Sequence, residues 1–256
     1  MQEAAACSWF DKIEFFSPET LTSDFRNSFA SILSEVRGAG YWIWKLDVLE
    51  QTFLASGEGD IIVYCDAGCH INSSGGKKFQ EYVDMLHASD YGLLSFQTLN
   101  HEQNYTTKEC FDVFQVPSDS DIRTSGQISA TVLVAKKCDH SLAILNEFRK
   151  AITKDPMIIT DAYNHLQGPY FLDHRHDQSL LSILRKQYGS ILLADEIWLP
   201  EFSHSHPIHF SAWSTRLSRL FRQRRTPAPI PSKKFIKNVT FEKSLNLPFW
   251  ALRLRS

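Results

Sequence analysis

The sequence predicts an α/β fold: a mainly parallel sheet with helices packed on its faces. Three observations carry that expectation. Apolar patterns at helical spacing alternate along the chain with short runs rich in β-branched and aromatic residues. One run, Ile61-Ile62-Val63-Tyr64-Cys65, is apolar throughout, as in a strand buried on both faces, and parallel sheets are built from such strands. The 256 residues are 43% hydrophobic and include 18 Phe, 8 Tyr and 6 Trp, enough core for one large domain plus an appendage.

The elements follow in order. Ala4 to Phe10 reads as a helix and Ile13 to Phe16 as a strand. Leu21, Phe25, Phe29, Ile32 and Val36 recur at spacings of three and four and predict a helix over 20–38. Ser17-Pro18-Glu19 is a plausible start, and Gly38-Ala39-Gly40 ends it. Lys45 to Leu54 is helical, and the strand at 61–65 follows. Lys77 to Leu86 places Phe79, Tyr82, Val83 and Leu86 on one helical face. Gly92–Phe96 and Ile128–Val134 read as strands. Ser141–Ile152 aligns Leu142, Leu145, Phe148 and Ile152, and Asp177–Tyr188 is the last helix. These elements assign 1–200 to one domain. Residues 201–256 read as a basic appendage, with Thr226-Pro227-Ala228-Pro229-Ile230-Pro231 as an extended linker.

Charge is unevenly distributed. Residues 213–256 carry eleven Lys or Arg against the single acid Glu242, while the whole chain is at −2. Trp213, Leu217, Leu220 and Phe221 would share a helical face, with Arg216, Arg219, Arg222, Arg224 and Arg225 around the rest. Such a helix suits an anionic membrane surface through 213–225, or docking on the acidic remainder of its own chain. No apolar segment is long enough to cross a bilayer, and Met1 to Cys7 lacks the features of a signal peptide. Five cysteines without a Cys-x-x-Cys pair fit a reducing compartment. The expected location is cytoplasmic, peripheral on the inner face of a membrane, with no nucleic-acid partner. Phosphate-loop, nucleophile-elbow and dinucleotide-fingerprint motifs are absent, which removes the best evidence for common hydrolases and oxidoreductases.

Three constellations can carry chemistry. Asp66 follows the buried strand, where ligands bind in open α/β sheets, and Gly68 lets backbone approach closely. A carboxylate there can hold a metal ion or a sugar hydroxyl, or simply turn the chain. Asp173-His174-Arg175-His176-Asp177-Gln178-Ser179 precedes an apolar helix. One Asp can cap it, while two His and an Arg suit anionic or hydroxyl-rich ligands. Gly38-Ala39-Gly40-Tyr41-Trp42-Ile43-Trp44-Lys45 can be core packing or a pocket wall, with Lys45 reaching a phosphate. Lys108, in Glu102-Gln103-Asn104-Tyr105-Thr106-Thr107-Lys108, reads first as a solvated charge.

Together these motifs resemble a bacterial and viral group of GT-A-fold glycosyltransferases. The shared pattern is Gly-Tyr-Trp-x-Trp-Lys at 40–45, Gly-Asp-x-x-x-Tyr-x-Asp-Ala-Gly-Cys at 59–69, Glu-x-x-x-Thr-Thr-Lys at 102–108 and His-Arg-His-Asp-Gln-Ser at 174–179. The resemblance implies a Rossmann-like GT-A domain. It implies transfer of a sugar from a nucleotide-sugar donor to a glycan or lipid-linked glycan acceptor, in surface polysaccharide or lipopolysaccharide assembly. Trp44, Lys45, Asp66, Ala67, Gly68 and Lys108 would then bind donor. His174, Arg175, His176 and Gln178 would face acceptor or donor phosphate, and Asp177 would act as base in an inverting enzyme or as the group beside the anomeric carbon in a retaining one. Such enzymes usually carry Asp-x-Asp on a divalent metal, manganese or magnesium. Here Asp66 holds the first position and Gly68 the second, so His174 or His176 would complete a metal site, or Lys45, Arg175 or Lys108 would neutralise the diphosphate. The rival expectations are an inactive relative that binds carbohydrate or protein, and a metal hydrolase built on His174, His176 and Asp177.

Overall fold

The computed structural model describes residues 2–197, 207–210 and 249–254. In chain order, helix α1 (Gln2–Cys7) leads to strand β1 (Lys12–Phe16), then α2 (Ser23–Ser28), α3 (Ala30–Leu33), α4 (Gly38–Tyr41) and α5 (Trp44–Leu54). Strands β2 (Ile61–Cys65) and β3 (Cys69–Ile71) come next, followed by α6 (Gly76–His87) and β4 (Leu93–His101). Three short helices, α7 (Glu102–Tyr105), α8 (Lys108–Val113) and α9 (Asp121–Thr124), precede β5 (Gly126–Ile128) and β6 (Val132–Lys136). The long helices α10 (Asp139–Lys154) and α11 (Asp177–Tyr188) follow, then β7 (Ile191–Ala194), β8 (Ile208–Phe210) and β9 (Phe249–Leu254).

Among the described residues seven strands form the main sheet, in the order β1-β9-β2-β6-β4-β5, with β7 also on β4; β3 and β8 pair separately. The alternation of β2 explains its apolar run. Ile62 and Tyr64 join a core with Leu46, Leu49 and Phe53 of α5, Ile144 and Phe148 of α10, and Leu180, Leu181 and Ile183 of α11. Ile61, Val63 and Cys65 face the opposite way and pack with Phe79, Tyr82 and Leu86 of α6. Helices therefore cover both faces. Each large apolar side chain buried in this way contributes about 1.5–3 kcal/mol, which holds the strands in register.

The sheet is not mainly parallel. The pairs β1–β9, β2–β9, β2–β6, β4–β6 and β4–β5 are antiparallel, and only β4–β7 is parallel among the described pairings. An unbroken apolar run reports burial on both faces, and burial does not depend on strand direction. The helix expected over 20–38 is also interrupted. Phe29 (φ −119, ψ 23) separates α2 from α3, and Val36, counted on the apolar face, is exposed. The expected strand at 128–134 splits into β5 and β6 around Ser129–Thr131. Finally, part of the stretch read as an appendage belongs to the fold: β9 runs between β1 and β2, and β8 pairs with β3. The amphipathic 213–225 segment and the Pro-rich linker lie outside the described residues. Among those described, no helix is long and apolar enough to cross a membrane.

Candidate functional site

Three polar features meet where β2 ends. β2 delivers Asp66 directly after its last residue, and the Asp66 N–H donates to the Thr131 carbonyl at 2.9 Å. That carbonyl belongs to the break between β5 and β6. A second residue of the break, Ala130, turns its carbonyl to the Lys45 ammonium at 2.9 Å. Its N–H donates to Gln178 Oε1 at 3.3 Å, and Gln178 Nε2 donates to Gln127 Oε1 at 2.8 Å. Lys45 comes from the first turn of α5 and Asp177 is the first residue of α11. Two helix starts and one strand end thus surround the break.

Lys45 Nζ lies 2.5 Å from Asp177 Oδ2 and 3.6 Å from Asp66 Oδ1. The Tyr64 hydroxyl donates to Asp66 Oδ1 at 2.5 Å, and its ring lies under the ammonium at 5.0 Å. The Lys45 and Asp177 side chains are 2% and 7% exposed, whereas Asp66 is 26% exposed. Asp66 is therefore the member that faces solvent, and the other two lie behind it. Burial pulls Lys45 down, but Asp177 and Asp66 more than offset it and hold its pKa above the ordinary value. Burial pushes Asp177 up to about 6, against the opposing pull of Lys45. Burial and the Asp66 carboxylate push the Tyr64 phenol well above its usual range.

The remaining expected site residues divide. Ala67 and Gly68 form the half-buried turn after Asp66, beside the ion pair. Gln178 joins the site through the strand break. Trp44 does not line a cleft: it is buried in the core and its indole N–H holds the Gly38 carbonyl at 3.0 Å. Lys108 is not brought to the site. It pairs with Asp112 one turn along α8, both side chains 55% exposed, as an i,i+4 pair on an open helix does. Arg175 is exposed and stacks on the Tyr105 ring at 4.6 Å.

His174 and His176 are buried, and each is anchored to backbone. His174 Nε2 lies 2.9 Å from the Ile158 carbonyl and His176 Nδ1 2.8 Å from the Ile159 carbonyl. Burial, then His176, brings His174 down to about 3; burial, then Arg37, brings His176 down to about 4. Among the described residues no group of three His, Cys, Asp or Glu side chains is arranged to hold a metal ion. The donor set around Asp66 does not fit a divalent-metal cage, because its nearest charged neighbour is the Lys45 ammonium, itself a cation.

Several contributors escaped the sequence reading. Ala130 acts through its backbone, and no side-chain motif marks it. Gln127 is fully buried and ties Gln178 to Thr106 and Ser179. Arg185 is fully buried, and its guanidinium holds the Ile128 and Ser129 carbonyls at 3.2 and 2.9 Å, which fixes the break from behind. Burial lowers its pKa to about 9. The one signal for it was a cation in the middle of an apolar helix pattern. A cavity of about 30 Å³ beside Tyr64 and Arg185 is lined mainly by apolar side chains and includes no carboxylate. The comparisons add no relative: no family model, no curated protein and no solved structure matches this chain.

Proposed function

We propose that the protein is a glycosyltransferase of GT-A type. It would move a sugar from a nucleotide-sugar donor to a hydroxyl of a glycan or lipid-linked glycan. The observation that carries this reading is the convergence of Lys45, Asp66 and Asp177 at the end of β2, from three motifs far apart in sequence. Asp66, the exposed member, meets the donor's hydroxyls. The donor diphosphate competes with Asp177 for Lys45. Once its partner is drawn away, Asp177 is a free carboxylate beside the reacting sugar. It takes the proton of the acceptor hydroxyl as that oxygen bonds to the anomeric carbon. The bond from that carbon to the diphosphate oxygen breaks, and Lys45 stabilises the charge that leaves with it. No step is routed through a metal.

A second reading, carbohydrate binding without transfer, is favoured by one feature. The Asp177 carboxylate is already satisfied by Lys45 at 2.5 Å. The experiment that decides is a screen of nucleotide-sugars by thermal shift, followed by donor hydrolysis without acceptor. A donor at ~100 times its dissociation constant should stabilise the protein by roughly 2.7 kcal/mol. Asp66→Asn and Asp177→Asn should each lower turnover by ~100-fold with the fold intact. Binding without any hydrolysis or transfer would favour the second reading. No stabilisation by any donor would remove the first.

A further inference from the structure

Beside the Lys45–Asp177 pair lies a second polar niche that this chemistry leaves unused. Two strained segments build it. Gly38, Ala39, Gly40, Tyr41 and Trp42 all have positive φ, at 58, 49, 95, 53 and 59. His176 has φ 53 and ψ −122. The Tyr41 and Trp42 rings face His176, with centroids 5.0 and 5.5 Å away. Among the described residues six non-glycine positions have positive φ, and four of them, Ala39, Tyr41, Trp42 and His176, lie in these two segments. Such a conformation is strained and persists only where the surroundings over-determine it, commonly at ligand sites. Gly40 is one such determinant, because a Cβ there would come within 2.8 Å of Leu33 Cα.

The niche holds an unmet acceptor. A carbonyl can only accept, so the contact to Ile159 places the His176 proton on Nδ1. Nε2 is then a bare lone pair. It has no hydrogen-bond partner, and His176 is only 2% exposed. It faces Asp161 Oδ1 at 3.8 Å. Asp161 Oδ1 already accepts from Arg37 Nη1 at 3.1 Å, so the ring nitrogen is the acceptor left without a donor. The ring does not supply one by taking a second proton, since burial and Arg37 hold it neutral down to about 4. The rim is open and polar. Arg37 donates to both Asp161 and Asp173, whose side chains are 34% and 42% exposed. An aromatic wall, two carboxylates, a guanidinium and a bare imidazole nitrogen match a polyhydroxyl ring, in which each hydroxyl both donates and accepts.

We propose that Tyr41, Asp161 and His176 form a saccharide subsite that takes a vicinal diol: one hydroxyl donates to His176 Nε2, its neighbour to the Asp161 carboxylate. Assigning this saccharide as the acceptor rests on the transfer reading; saccharide binding itself does not. The test uses the full chain without donor. Methyl glycosides of glucose, galactose, mannose and N-acetylglucosamine are titrated by calorimetry and saturation-transfer NMR. Saturable binding of at least one is expected, weakened tenfold or more by Asp161→Asn and by His176→Asn, with nucleotide-sugar affinity unchanged in Asp161→Asn. In the unsubstituted protein the His176 Nε2 nitrogen resonance should move on saccharide addition, which keeps the test valid if a variant fails to fold. A resonance that stays fixed, or binding unaltered in both variants, overturns the subsite. Nucleotide-sugar turnover with no glycoside bound overturns the subsite and leaves the transfer reading standing. Glycoside binding that follows the expected pattern, with no nucleotide-sugar bound, does the reverse.

Discussion

Lys45 is held by two carboxylates and a carbonyl and is almost wholly buried, behind the partly exposed Asp66. A buried cation with partners of this kind survives only while they stay charged. Its closest partner, Asp177, has a folded pKa of about 6, above the ~4 of an unfolded Asp. The native state therefore binds more protons than the unfolded chain between those values, and this group's contribution to stability falls as pH rises from about 4 to 6. For the proposed transfer the sign is opposite, because Asp177 as its base must be deprotonated. The pH profile of kcat/KM should fall on the acid side near 6. Lys45→Met removes the cation that favours the charged carboxylate, so that acid limb should move up by a unit or more. The rate at neutral pH should drop by ~100-fold. An acid limb at the same pH in the variant would show that Lys45 and Asp177 are not coupled as the proposed transfer requires.

At the scale of elements, the break between β5 and β6 matters more than any motif. Its carbonyls are gripped by Arg185 of α11, and α11 is clamped to α7 in turn by Glu102. That carboxylate is fully buried; it accepts from Ser182 and from Lys186, at 2.8 Å for the latter, and from Thr106 at 2.7 Å. Glu102→Gln leaves Lys186 without its counter-charge and should cost roughly 3 kcal/mol. Urea denaturation measures it, and a loss under about 0.5 kcal/mol would mean that α11 is held without this clamp. Much of this level was legible beforehand. The last helix begins at Asp177 as its apolar spacing requires, and β2 occupies the five residues of its apolar run. Sheet direction was not legible, since alternating burial looks the same in parallel and antiparallel neighbours. Nor was the strand break: Ser129, Ala130 and Thr131 interrupt the apolar pattern only briefly, and the value of the interruption lies in backbone groups. Asp66, Lys45 and Asp177 stood out singly as ionisable side chains against apolar elements, but they could be grouped only through the resemblance of their motifs to one family. Trp44 and Trp42 could not be told apart, because an aromatic pair reads the same whichever ring the core takes.

Over the whole molecule, the far end of the chain closes the sheet. β9 pairs through five residues with β1 and through five with β2, so Phe249–Leu254 fills the space between them. A chain ending before Phe249 would leave facing rows of N–H and C=O groups unpaired in the middle of a sheet. Its melting temperature should fall by on the order of 10 °C or more, since each kcal/mol lost is worth about 2–4 °C in a chain of this size. An unchanged melting temperature would mean that the sheet is stable without β9. This dependence also dictates how the basic 213–225 stretch must be tested, because truncation would remove β9 along with it. Substitution of Arg216, Arg219 and Arg222 by Gln leaves the terminal strand in the chain while removing three charges. Each basic residue near an anionic surface is worth about 1 kcal/mol, so these three should account for roughly a hundredfold in liposome affinity. We expect the unaltered chain to float with anionic liposomes at low salt, to be released at high salt and to ignore neutral ones. The substituted chain should stay behind at any salt. If both chains float alike on anionic liposomes, attraction through this stretch is not what brings the protein to a membrane, and its charge must be answered by the acidic remainder of the chain.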